Sequence, residues 1–252
     1  MHPLKKAARI AGAIYLSMVF TAPFSLIYVP SKLIVRGNAA ATADNILAHE
    51  TMFRLAIFGD LVGQVIFICL GIALYRLLRD VSRPWAWLMV AFVLVSSAVC
   101  FLNVLNYIAA LTLFRGADFL SVIDKPQRDA LGMLFLRLYS HGIFMAEIFW
   151  GLWLFPFGLL VFRSGFLPRW IGVWLMINCF GYVVLSITAL FFPDYYGAAF
   201  NWSQPILFGE LAIMLWLLIK GAKVPADGLH SSVGEGAAFP GKLTASPTGN
   251  GP

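Results

Sequence analysis

The sequence predicts an all-α protein, a polytopic membrane bundle of six transmembrane helices. Three observations lead there. Of 252 residues, 60% are hydrophobic and only 12% charged, with a mean hydropathy of +0.83, whereas a soluble domain carries about 25% charged residues. Six apolar runs are each long enough for a hydrocarbon core about 30 Å thick, which takes about 20 helical residues. Basic residues cluster at the ends of those runs, and the clusters fall on one side when the runs alternate in direction.

The runs lie near 10–30, 53–76, 85–113, 142–162, 170–192 and 204–219. The first follows Lys5, Lys6 and Arg9, as a signal peptide would. No small-x-small cleavage site follows it promptly, so an uncleaved first span is expected. Ahead of span two, Asp44 is placed to cap a helix running through Glu50 and Arg54, a pair at i,i+4 spacing. Span three opens after Arg83-Pro84 and carries Trp85 and Trp87. Span five opens after Pro168-Arg169 and carries Trp170 and Trp174. Tryptophan favours this depth because its ring is apolar and its N–H is wet. Ahead of span four, Asp124 with Pro126 and Gln127 forms a helix-start signature. Within span four, Pro156 removes the amide that would bond the Leu152 carbonyl, which predicts a kink near Gly151 and Gly158. A six-span domain over 1–223 is therefore expected. The Gly-, Ser- and Pro-rich stretch 224–252 reads as a disordered cytoplasmic tail.

The clusters Lys5/Lys6/Arg9, Arg76/Arg79/Arg83, Arg163/Arg169 and Lys220/Lys223, with Lys242, put eleven of the eighteen Lys and Arg residues on one side. The positive-inside rule places that side, and both termini, in the cytoplasm of a cell whose inner membrane holds the protein. The formal charge of +6 thus reflects orientation in a bilayer, and no nucleic-acid partner is expected. Cys69, Cys100 and Cys179 lie inside apolar runs without CxxC spacing and read as packing residues.

The chemistry-bearing residues are those at membrane depth. Asp60, Glu147 and Glu210 stand one each in spans two, four and six, which all run in the same direction. A carboxylate in lipid is expensive and marks a functional site by default. Asp60 precedes Arg76, and Glu147 precedes Arg163, by sixteen residues, about 24 Å of helix. Glu210 precedes Lys220 by ten residues, about 15 Å and nearer the midplane. Gln64 shares a face with Asp60, and Ser96, Cys100, Asn103 and Tyr107 follow one stripe of span three. For Asn103 the alternative is interhelical hydrogen bonding, worth about 0.6 kcal/mol on average. Arg54 and Arg137 at the outer edge are the candidate counter-charges. His141 shares a face with Arg137 but stands about 120° around the helix from Glu147.

A short repeat adds to this. Ile57-Phe58-Gly59-Asp60-Leu61 resembles Leu207-Phe208-Gly209-Glu210-Leu211, and Arg54/Gly59/Gln64 match Arg137/Gly142/Glu147 in spacing. The candidate pairing is three out-and-back helical hairpins, with a site between repeats.

The stretches SKLIVRGNAAATADNIL, FRLAIFGDLV, ALYRLL, IFWGLWLFPFGLLVFRSGFLPR and FGELAIMLWLLIKG resemble the bacterial family called domain of unknown function 4386. The likeness covers about Leu4 to Lys223. It implies the same six-span plan and supplies no activity, cofactor or catalytic residue.

The leading expectation is a non-enzymatic membrane protein with a polar intramembrane pocket. Asp60, Gln64, Asn103, Glu147 and Glu210 would line it, for a proton, a small cation or an amphiphile. One alternative is a membrane enzyme acting on a lipid, with an acid and His141 as acid–base groups. Another is a structural or partner-binding subunit. HExxH, GxSxG, Walker and GxGxxG signatures do not occur, and the four histidines fit neither a haem nor a zinc site, so no catalytic set, metal or cofactor is assigned.

Overall fold

Side chains that lipid accepts and water does not decide this architecture, because a backbone in hydrocarbon must satisfy its own polar groups. The computed structural model describes residues 2–223, with Leu207 by its backbone alone. The expected tail, 224–252, lies outside the described residues. Six helical segments are long and apolar enough to cross a membrane: Pro3–Leu33, Glu50–Leu78, Arg83–Arg115, Lys125–Arg163, Arg169–Phe191 and Pro193–Lys220. Their outward residues are large and apolar, with Phe20 at 72%, Leu102 at 69% and Leu190 at 74% exposure. Lipid covers such a surface at no cost. This is a multi-pass membrane protein.

Span one combines α1 (Pro3–Pro23), a π-helical turn (Phe24–Tyr28) and α2 (Val29–Leu33). Pro23 ends the regular part because it has no N–H for the Val19 carbonyl. The short α3 (Ala39–Ala48) lies between spans one and two. Its cap corrects the sequence reading: Asn38 Oδ1 accepts from the Ala41 amide at 2.9 Å, and Asp44 sits inside the helix. Nor does α3 continue into span two. His49, at φ −123° and ψ 38°, breaks it from α4 (Glu50–Leu78). Asp44 instead accepts from Lys125 Nζ at 3.2 Å, and Lys125 also reaches Asp129 at 2.8 Å. This ties α3 to the start of span four.

Span three is α5 (Arg83–Arg115), ended by Gly116 in the left-handed conformation at φ 68°. Span four starts as expected, with Asp124 Oδ1 accepting from the Gln127 amide at 2.8 Å. It divides into α6 (Lys125–Leu152) and α7 (Leu154–Arg163), so the break falls where Pro156 strips the Leu152 carbonyl of its donor. Span five is α8 (Arg169–Phe191). Span six is α9 (Tyr196–Leu215) followed by a π-helical turn, Trp216–Lys220.

Each span packs on its neighbours in sequence, and span six closes on span one, giving an up-down ring. The repeat glycines sit at the hairpin seams. A Cβ on Gly59 would meet Ser25 of span one, on Gly142 it would meet Asn103 of span three, and on Gly209 it would meet Trp174 of span five. Each return helix thus presents its glycine to its own outgoing helix, as close packing in lipid favours. Gly158 and Gly172 face each other across α7 and α8, where a Cβ on Gly158 would lie 2.6 Å from the Gly172 carbonyl oxygen.

Two buried apolar clusters fill the ring. One gathers Phe67, Leu70, Leu74, Met89, Trp153, Phe157 and Leu217 toward the basic end. The other gathers Leu33, Ile46, Phe53, Tyr107, Phe114 and Leu136 under α3 at the opposite end. The cysteines differ from expectation in one place: Cys100 and Cys179 are buried, but Cys69 is exposed on the outer face.

Candidate functional site

Between the two apolar clusters the interior turns polar. A cavity of about 440 Å³ lies there, walled by spans one, two, four, five and six. Its polar wall is Asp60, Gln64 and Glu210, with Thr21 and Ser25. Its aromatic wall is Tyr15, Phe67, Trp150, Trp153 and Tyr182. The π-helical turn after Pro23 brings Ser25 and Leu26 to the cavity, and such turns often occur where a helix serves a site.

All three acids are held by tyrosine hydroxyls from other helices. Tyr139 of α6 donates to Asp60 Oδ2 at 2.6 Å. Tyr196 of α9 donates to Glu147 Oε1 at 2.8 Å. Glu210 receives two such bonds, from Tyr15 of α1 at 2.5 Å and from Tyr182 of α8 at 2.8 Å. Hydrogen bonds of this kind supply a carboxyl group with partners that water would otherwise provide. Gln64 stands one turn from Asp60 on the same helix, and its Oε1 has no protein partner. Among the described residues no ion pair reaches any of the three acids.

Asp60, Gln64 and Glu210 thus share one cavity, and Glu147 does not line it. Glu147 is 6% exposed, its Oε2 has no protein partner, and it lies in the electrostatic surroundings of Tyr182. Asn103 also stands apart. Its Nδ2 donates to the Tyr139 carbonyl at 2.8 Å, and its side chain accepts from Asn106 at 3.0 Å. Below it, the Tyr107 and Tyr139 rings stack with centroids 3.6 Å apart. Asn103 is therefore bonded to the backbone of the residue whose hydroxyl holds Asp60.

The outer cations are not near the acids. Arg54 Nε is bound to Glu50 Oε1 at 2.6 Å, and Arg115 approaches the same carboxylate at 3.6 Å. Arg137 lines a separate surface recess with Arg36 and Ser140. His141 is exposed and packs edge-on against Phe144, with centroids 6.1 Å apart. No group of three or more His, Cys, Asp or Glu residues suited to a metal ion occurs among the described residues.

Sequence reasoning missed the tyrosines. Tyr15 and Tyr182 sit in apolar runs where an aromatic residue is ordinary, Tyr139 just ahead of one, and each partner belongs to another helix. The one available signal was depth, since a buried tyrosine hydroxyl normally needs a partner.

An uncharacterized protein of Archaeoglobus fulgidus is 30% identical to this chain over 169 residues, covering 67% of this chain and 85% of that one. No solved structure matches it. The match that spans the whole ring, residues 10–221, is to the model of the family described as Domain of unknown function (DUF4386), and the chain belongs to that family.

Proposed function

We propose that the protein binds or passes a small amphiphile with a cationic head in the cavity between Asp60 and Glu210. The observation that carries this is the pairing of two carboxyl groups with an aromatic wall in one space of about 440 Å³. Cavities of roughly 300–1,000 Å³, mainly apolar with a few convergent polar groups, are the usual form of a small-molecule site. Carboxylates and aromatic faces both attract organic cations. Two acids offer too few ligands for a dehydrated metal ion, which favours an organic cation instead. Val19 belongs both to the cavity wall and, at 45% exposure, to the lipid-facing side of span one. An amphiphile dissolved in the bilayer would enter there. His141 lies outside the cavity, so the lipid-enzyme alternative gains no support from this arrangement. The basic face is read as cytoplasmic in the cell membrane.

The test is titration of the purified protein in detergent with tetraphenylphosphonium, a lipophilic cation, followed by quenching of tryptophan fluorescence. Saturable quenching is expected, weakened at least about tenfold in Asp60→Asn/Glu210→Gln, a loss of about 1.4 kcal/mol. Glu50→Gln, on the outer surface, should leave it unchanged. Saturable quenching of equal affinity in the double variant, or none in the native protein, would remove the cavity from consideration.

A further inference from the structure

Glu147 is the one of the three acids that the cavity does not use; it is buried at 6% exposure, and a single tyrosine hydroxyl is its donor, where Glu210 has two. On one side it receives the Tyr196 hydroxyl at 2.8 Å. Tyr196 is half-buried at the start of α9, next to exposed Asp194 and Tyr195, at the face opposite the basic clusters. Tyr182 of α8 packs one turn further along α6, its Cβ 2.9 Å from where a Cβ on Gly151 would stand, and it feels the charge of Glu147. The Tyr182 hydroxyl donates to Glu210 at 2.8 Å. Tyr196 and Glu147 thus form one hydrogen-bonded pair and Tyr182 and Glu210 another, and Glu147 Oε2 is left without a protein partner.

We propose that Tyr196, Glu147 and Tyr182 carry protons between that face and Glu210. This adds proton linkage to the cavity and rests on the cavity reading for its purpose, though not for its test. The Tyr196 hydroxyl passes its proton to the Glu147 carboxylate while its oxygen takes one from a hydronium ion at the surface, which becomes water. The Glu147 O–H passes that proton to the Tyr182 oxygen, directly or through one water at Oε2, as Tyr182 releases its own to Glu210. One proton moves from the hydronium ion to Glu210, and nothing is oxidised. The titratable groups facing this path are Tyr15 of α1, Cys179 of α8 and the path members themselves; Asp60 stands across the cavity.

The experiment is time-resolved infrared spectroscopy of the purified protein after a pH jump, with the Glu210 carboxyl band assigned by its loss in Glu210→Gln. Glu147→Gln and Tyr196→Phe should each slow protonation of Glu210 by roughly tenfold or more while leaving its final amplitude intact. Tyr195→Phe should match the native rate. Tyr196→Phe keeps the ring against Phe144, so its effect reads the hydroxyl and not the packing. Native rates in both path variants, or a Glu210 band that does not respond between about pH 4 and 9, would overturn the proposal. Tetraphenylphosphonium binding is read separately, so failure of the cavity reading and failure of the path give different results.

Discussion

The Tyr15 hydroxyl lies 2.5 Å from Glu210 Oε2, a bond between spans one and six across 195 positions of sequence. It closes the ring and forms one corner of the cavity. Removing that hydroxyl should loosen both.

Tyr15→Phe deletes one donor to a buried carboxyl group and leaves Tyr182 alone to hold it. Such a loss costs about 1–3 kcal/mol. Thermal unfolding in detergent should show a clearly lowered midpoint, whereas Tyr28→Phe, on a 49% exposed residue, should unfold as the native protein does.

Gly158→Leu would force a branched side chain into the Gly172 backbone. Overpacking costs typically about 1–3 kcal/mol, and backbone on the opposing side cannot move aside as a side chain would. The variant should be recovered in lower yield and unfold earlier. Native-like stability would mean that α7 and α8 are not in contact at these glycines.

Pro23→Ala restores the amide that the Val19 carbonyl lacks. Span one should become more regularly helical, with slower amide exchange around residue 23, while tetraphenylphosphonium binds more weakly because Ser25 and Leu26 turn away from the cavity. A gain in regularity without loss of binding would separate the π-helical turn from the site.

Asn38→Ala removes the cap of α3 and should cost about 0.5–2 kcal/mol. Hydrogen exchange should rise within 39–48 and stay unchanged in span five. Asp44→Ala should leave the cap intact and release only the exposed contact to Lys125.

Cys69 faces outward, and Cys100 and Cys179 are buried. A membrane-soluble maleimide should therefore modify one thiol in the folded protein and three after denaturation, as counted by mass spectrometry.

The spans were legible because lipid imposes a length and a hydropathy that no other environment requires. Asp124 and Pro156 were legible because a cap and a missing amide act within one turn of their own position. Asn38 and Asp44 were harder to separate. Both are good capping residues, and the choice turned on the break at His49, which no strong breaker residue announces. The acids stood out because a charge in an apolar run has a high cost, but depth alone could not say which of them share a space. Asp60 and Glu210 do, while Glu147 faces Tyr196, because helix rotation and the α6–α7 break decide where a side chain points. The role of Arg54 was obscured for the same reason. Its spacing to Glu50 was visible, and that neighbour, not a deeper acid, engages it.

The sequential ring has a consequence for synthesis. Tyr15 is made 195 positions before Glu210, which span six carries. Until span six arrives, the cavity lacks the wall that Glu210 supplies, and the Tyr15 hydroxyl is without its acceptor. A chain interrupted before span six therefore keeps on span one a hydroxyl whose acceptor has not yet been made.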